Sequence, residues 1–180
     1  MSAAFRNFET TRLRLRRLRA GDEDFLASLD SDPAVMQYIH CGPCSWARAR
    51  RYAELEVETA HAYRHTGKWI AELHNGSLIG WVQLFKLGGI ERDDLAIGYE
   101  FAPAYWGQGY ATEANRRILE YAFRTLKCDR IAAMARRENA RSLRVLQKLG
   151  FQKAGHRQDG GGHWCNLYLV HFEDRAWQAR

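Results

Sequence analysis

The chain has no run of apolar residues near the roughly 20 that a bilayer-spanning helix needs, and its opening M-S-A-A-F-R-N-F-E-T has no apolar signal core. A membrane protein is excluded as an expectation, and the location expected is cytoplasmic. Lysine is scarce: 5 Lys against 22 Arg make up the 27 basic residues, which face 21 acidic ones for a net charge of +6. Most of the arginines alternate with apolar residues or fall on polar helix faces, so a solvated surface explains them and charge alone requires no nucleic-acid partner. Cysteines number only four. Cys41-Gly42-Pro43-Cys44 spells C-x-x-C, but a loop and a short helix precede it, not the strand of a thioredoxin-type unit. Cys128 and Cys165 are isolated, with no second C-x-x-C and no H-x-x-x-H, so no zinc site is expected. Seven histidines are scattered without a spacing that implies a role. No internal repeat or low-complexity linker divides the 180 residues, which read as a single domain, 1–180, with 46% hydrophobic and 27% charged content.

What the chain does have is a stretch from Ile97 to Ala114, I-G-Y-E-F-A-P-A-Y-W-G-Q-G-Y-A-T-E-A. Leu95, Ile97, Tyr99 and Phe101 alternate as in a strand, Pro103 stops it, and Gly107 and Gly109 make a turn before a helix begins. Glycines there allow positive φ or close approach of the backbone. The first N–H groups of the helix have no intrahelical partner, so the turn suits a phosphate or diphosphate. The helix shows an apolar stripe of Ala114, Ile118, Ala122 and Leu126, widened by Ala111, Leu119 and Phe123. Arg116, Arg117, Glu120 and Arg124 are left for water. No Gly-Lys-Ser/Thr follows, and the three-glycine dinucleotide spacing is absent.

A second segment, Arg137-Glu138-Asn139-Ala140-Arg141-Ser142, leads into Leu143, Val145, Leu146, Leu149 and Gly150-Phe151. Asn139 reads as an N-cap, Leu143, Leu146 and Leu149 as a buried stripe, and Gly150 as the helix stop. Ser142 falls on the same helix face as Asn139, one turn later.

Together these motifs resemble the Gcn5-related N-acetyltransferases. Trp106-Gly107-Gln108-Gly109-Tyr110-Ala111 is similar to their acyl-coenzyme A turn, with Trp106 in place of the usual Gln or Arg. E-N-x-x-S-x-x-V-x-x-K-x-G-F is similar to their second signature, Lys148 included. The form W-G-x-G-Y-A-T-E-A resembles the branch of RimJ- and RimL-type ribosomal-protein N-terminal acetyltransferases.

The remaining chain fits that resemblance. A strand spans Thr11 to Arg19, a helix starts at Gly21-Asp22-Glu23-Asp24, a helical turn begins at Pro33, and a charged helix runs from Trp46 to about Arg64. Trp69–Leu73 and Leu78–Leu87 form a hairpin around Asn75-Gly76. After the glycine turn and its helix come a strand over Arg130–Arg136, the Asn139 helix, and strands Phe151–Arg157 and His163–Phe172 about a mobile-looking Asp159-Gly160-Gly161-Gly162. The expected class is α/β (α+β): a mixed, mostly antiparallel, splayed sheet with helices on both faces.

The resemblance implies acetyl-CoA as cosubstrate and no metal. The N–H groups of Gly107, Gln108, Gly109, Tyr110, Ala111 and Thr112 would hold the diphosphate, the Phe101 backbone the pantetheine arm, and the Asn139 side chain the cofactor beside the second helix. Arg141, Arg144 and Lys148 are open alternatives for the adenosine 3′-phosphate. The implied reaction is direct attack of an amine on the thioester, which needs a base, an oxyanion donor and an acid for sulfur.

Glu100, the lone charge in Ala96–Ala102, is the expected base; its other reading is a strand carboxylate paired with an arginine. Glu72 is the second choice for base. Ser142 is the expected acid, with Tyr168 behind it, and Glu113 is read as complementing the helix dipole. Asn166 stands where relatives often carry Asp. A protein N-terminal amine is the expected acceptor, because its pKa of about 7.7–8.0 leaves it partly neutral at pH 7, whereas lysine at about 10.4 is almost wholly protonated. A small-molecule amine and a non-catalytic acyl-CoA or RNA-binding module are the alternatives. Nucleic acid is not required, and a homodimer is allowed.

Overall fold

The computed structural model describes residues 6–39, 41–63, 65–88 and 94–178. The expected helix end at Arg64 lies outside them. Strands β1 (Phe8–Glu9) and β2 (Leu13–Arg17) are followed by helices α1 (Glu23–Asp30), α2 (Pro33–Met36) and α3 (Trp46–Thr59). A meander of β3 (Gly67–Leu73), β4 (Leu78–Leu87) and β5 (Asp94–Phe101) then leads into α4 (Tyr110–Arg124). The order ends with β6 (Arg130–Ala135), α5 (Ala140–Lys148), β7 (Gln152–Gln158) and β8 (Trp164–His171). All the strands join one sheet in the order β1-β2-β3-β4-β5-β6-β8-β7, antiparallel except for β5 and β6.

Both faces are covered. On the back, Trp69, Val82, Leu84 and Ile97 pack with Ala114, Ile118, Leu119 and Ala122 of α4, residues at most 4% exposed. On the front, Ile70 and Trp81 meet Leu26 and Leu29 of α1 and Ala53 of α3. The α4 stripe therefore buries the face its four-residue spacing predicts. Arg116 and Arg117, expected in water, are half-buried instead. The Arg117 guanidinium lies 4.4 Å over the Phe8 ring, and Arg116 Nε donates to the Trp177 carbonyl at 3.2 Å. The two-residue β1 and the C-terminal segment cover that side of α4, and neither shows a period long enough to be seen in sequence.

The β5/β6 pairing positions the site. These parallel strands share one registered pair, Ala96 with Ala132, whereas β4 and β5 stay paired from Leu87↔Asp94 to Gly80↔Phe101. At the paired end, Arg130 donates to both oxygens of the buried Asp94 at 3.0 and 2.7 Å. This fork-to-fork bond fixes the vertex, and beyond it the strands part. At the far end of the sheet, the glycine-rich β7–β8 turn is tied down, not loose. Asp159 Oδ1 accepts from the Gly161 and His163 N–H groups at 2.9 Å each.

Candidate active site

The turn between β5 and α4 runs through a short 3-10 segment, Pro103–Tyr105, and then two left-handed glycines, Gly107 at φ +76° and Gly109 at φ +86°. A side chain at Gly107 would meet nothing within 4 Å, so conformation and not crowding calls for glycine there. Glu113 N–H closes the first helical bond on the Gly109 carbonyl at 3.0 Å. Among the described residues, the N–H groups from Gly107 to Thr112 find no acceptor. A row of main-chain donors at the positive end of a 15-residue helix is an anion cradle. The Gln108 side chain folds back onto the Ala104 carbonyl at 2.9 Å, leaving its backbone to face the cradle.

Arg12, which sequence reasoning missed, braces this turn. Its Nε donates to Glu113 at 2.7 Å, its Nη1 to the Gln108 carbonyl at 3.0 Å, and its guanidinium lies 4.3 Å over the Tyr110 ring. Glu113 also accepts from Thr10 Oγ1 at 2.7 Å and Arg12 N–H at 2.9 Å. It thus joins the start of β2 to the first turn of α4, besides complementing the dipole. Burial works against the ionised Glu113 carboxyl, but these bonds together hold its pKa below the usual range. No sequence signal links residues about a hundred positions apart.

The strand opening is lined by backbone. Ala102 N–H donates to the Ile79 carbonyl at 2.9 Å. By the alternation of an antiparallel ladder, Phe101 and Tyr99 then turn their main-chain groups away from β4 and toward the gap. The Phe101 carbonyl is already taken: Trp106 Nε1 donates to it at 2.6 Å. The Phe101 N–H is therefore the main-chain group of this residue left wholly unpaired for the expected pantetheine contact, while the carbonyl keeps one lone pair. Trp106 also carries the Arg141 guanidinium 4.3 Å from its ring, which ties α5 to the glycine turn. Asn139 is less free than expected, because its Oδ1 caps α5 by accepting from Ser142 N–H at 3.1 Å, leaving the Nδ2 amide. Ser142 Oγ shares a hydrogen bond of 2.9 Å with the Tyr99 hydroxyl, whose pKa burial raises. Tyr99 was legible only as an apolar strand position. Tyr168, the reserve acid, has its hydroxyl engaged by Asn166 Nδ2 at 3.2 Å. Arg144 and Lys148 are exposed on α5.

Alternation sends Glu100 to the front face, opposite to Tyr99. Its Oε2 is buried without a hydrogen-bond partner, and so is Nε1 of Trp81, the residue facing it across β4. Burial pushes the Glu100 pKa up to about 8; Lys68 and the facing indole pull it down, while Asp30 and Glu56 push it further up. Among the described residues, the arginine pair that offered another reading of Glu100 is not formed. Glu72 does have such a pair: Arg16 Nε reaches it at 2.8 Å while also gripping the buried Asp22 at 2.7 and 2.8 Å. The structure brings Glu100, Tyr99, Phe101 and Ser142 to the opening, and leaves Glu72 in an ion cluster two strands away from β5. All four cysteines are free thiols, and burial raises the Cys41 pKa, opposite to an activated thiol. Among the described residues, no group of three His, Cys, Asp or Glu could hold a metal, and no helix is long and apolar enough to cross a membrane.

The residues present fit an acyl-coenzyme A donor: a diphosphate on the Gly107–Thr112 amides, an extended arm along the free edge of β5, and a cation supply on α5. Comparison with known proteins agrees. Residues 12–152 match the model of the acetyltransferase (GNAT) domain. A Bacillus licheniformis protein described as the uncharacterized N-acetyltransferase p20 is 30% identical, over 89% of this chain and 92% of its own length. Two solved structures share the fold. Mycobacterium smegmatis RimJ in complex with CoA-disulfide has TM-score 0.79 and 20% identity, covering 98% of this chain and 93% of that one. Spermidine N-acetyltransferase from Vibrio cholerae, in complex with CoA and spermine, has TM-score 0.75 and 23% identity, covering 94% and 100%. The chain belongs to the GNAT family and is an N-acetyltransferase.

Proposed function

We propose that this enzyme moves an acetyl group from acetyl-CoA to the N-terminal α-amine of a protein, by direct attack and without an acyl-enzyme. The donor supplies an activated acyl group as a thioester; the chain supplies the rest. The Gly107–Thr112 amides and the dipole of α4 would hold the diphosphate, and the Phe101 N–H would lie along the pantetheine. Glu100 takes the ammonium proton on the front face. From the first turn of α5, Ser142, oriented by Tyr99, gives a proton to the sulfur as its bond to the acetyl carbon breaks, and regains one from the attacking nitrogen by way of solvent.

The observation that carries the choice of acceptor is the Glu100 carboxyl, whose Oε2 is buried without a hydrogen-bond partner among the described residues, and burial of this kind raises its pKa to about 8. A base at that value exchanges a proton almost evenly with an α-amine of about 7.7–8.0, whereas a lysine-like amine at about 10.4 would hold its proton by more than two units. The resemblance of the W-G-x-G-Y-A-T-E-A form to the RimJ- and RimL-type N-terminal acetyltransferases supports the same acceptor. The test is intact-mass detection of acetyl transfer to peptides with varied first residues, alongside spermidine and other small amines. Acetylation confined to peptide N-termini is expected, and turnover of small amines alone would overturn the acceptor. CoA binding with no turnover of any amine would favour a binding module.

A further inference from the structure

The front of the sheet carries a charge to which the proposed chemistry gives no role. Lys68, on β3, has a side chain only 10% exposed. Its Nζ sits 2.9 and 2.6 Å from the two oxygens of Glu56 on α3 and 4.0 Å from the centre of the Trp81 ring. The strand register makes this a local cluster: Ile70 faces Trp81 across β3 and β4, and Trp81 faces Glu100 across β4 and β5. Lys68, two residues from Ile70, lies on the same face. Trp81 is 8% exposed, so the ring that the ammonium covers is itself largely out of water, as is the unpartnered Glu100 oxygen.

We propose that Lys68 is a positioning residue, its ammonium held between the Trp81 ring and the Glu56 carboxylate so that it controls when Glu100 is charged. Glu56 sets how much of that charge Glu100 feels. The proposal deepens the reading of Glu100 as base and rests on it.

The groups acting on Glu100 are Lys68 from β3, the Trp81 indole from β4, Asp30 from α1, Glu56 from α3 and Cys41 from the loop after α2. Lys68 is the cation among them and favours the carboxylate; the acids oppose it. In a cleft of low dielectric, such a charge acts through space without a direct bond. A tether on Trp81 and Glu56 keeps the ammonium from collapsing onto Glu100, which would block the base with a permanent salt bridge.

The experiment compares wild type, Lys68→Met, Lys68→Arg and Glu56→Gln. One readout is kcat/KM against pH. The other is a direct carboxyl titration of Glu100 by carbon-13 NMR, with its signal assigned by its loss in Glu100→Gln. Lys68→Met is expected to raise the Glu100 midpoint by at least about half a pH unit, and Glu56→Gln to lower it by a similar amount. Lys68→Arg should stay near wild type, and the KM for acetyl-CoA should be unchanged throughout. A packing role alone would move neither midpoint, or both in one direction, and either result overturns the proposal. Because the Glu56 side chain is 44% exposed, its variant keeps the test open if Lys68→Met does not fold. If the midpoints move as expected but Glu100→Gln keeps the wild-type rate, the coupling stands and the base assignment falls.

Discussion

Two residues of the proposed site stand out by being unlike their surroundings. Glu100 is a carboxylic acid in an otherwise apolar strand segment, and its surroundings hold it mostly protonated at neutral pH. With Glu100 as the base, kcat/KM should climb with a limb centred near 8, since activity appears as the proton leaves. Glu100→Gln should leave in that range only the titration of the acceptor amine itself, at about 7.7–8.0, and lower kcat/KM at pH 8 by about 100-fold or more, with CoA affinity by calorimetry unchanged. An unchanged kcat/KM at pH 8 would remove Glu100 from the mechanism. Gly107 is required for a different reason: its φ of +76° lies in the left-handed region, although the space around it is open. Gly107→Ala should therefore cost about 1–2 kcal/mol through conformation alone, weakening CoA binding roughly tenfold with a normal circular dichroism spectrum. Unchanged affinity would mean that the turn does not hold the diphosphate. Both residues stood out in the sequence. Lys68 and Trp81 did not, because a strand lysine and a strand tryptophan look ordinary until the register places Trp81 beside Glu100 and the Lys68 ammonium over its ring.

At the scale of elements, the sequence revealed what repeats locally and concealed what is held at a distance. The α4 stripe, the Asn75-Gly76 hairpin and the Asn139 cap rest on neighbours within a few positions, and each is where its pattern puts it. The parting of β5 from β6 leaves no periodic trace, since it depends on one registered pair and the Asp94–Arg130 fork. The brace from β2 to the glycine turn is hidden for the same reason. Arg12→Ala removes the contacts to Glu113, the Gln108 carbonyl and the Tyr110 ring. It should raise the Kd for CoA by about three- to tenfold, the effect of losing roughly one charge-assisted bond. The pH limb of kcat/KM should not move, because Arg12 lies at the diphosphate end of the site. A shifted limb with unchanged affinity would instead place Arg12 in the proton path.

For the whole molecule, the half-buried carboxyl proposed as the base would set activity against stability. The Glu100 pKa is raised from 4.5 to about 8 on folding, so between those values the native state binds a proton that the unfolded chain has lost. Stability from this group is present in full below about 4.5 and fades as pH rises through 8, with a slope of at most about 1.4 kcal/mol per unit. Activity that depends on the ionised carboxylate rises over the same upper range. Glu100→Gln removes the titration and keeps the shape. Urea unfolding of wild type and variant should then diverge from about pH 5 upward, with the variant more stable by at least about 2 kcal/mol at pH 8.5. The other acids of the front face, Asp30 among them, titrate in both proteins and largely cancel in the difference. Parallel stability curves across that range would mean that Glu100 ionises freely in the folded state, and the match between base and α-amine would be lost with it.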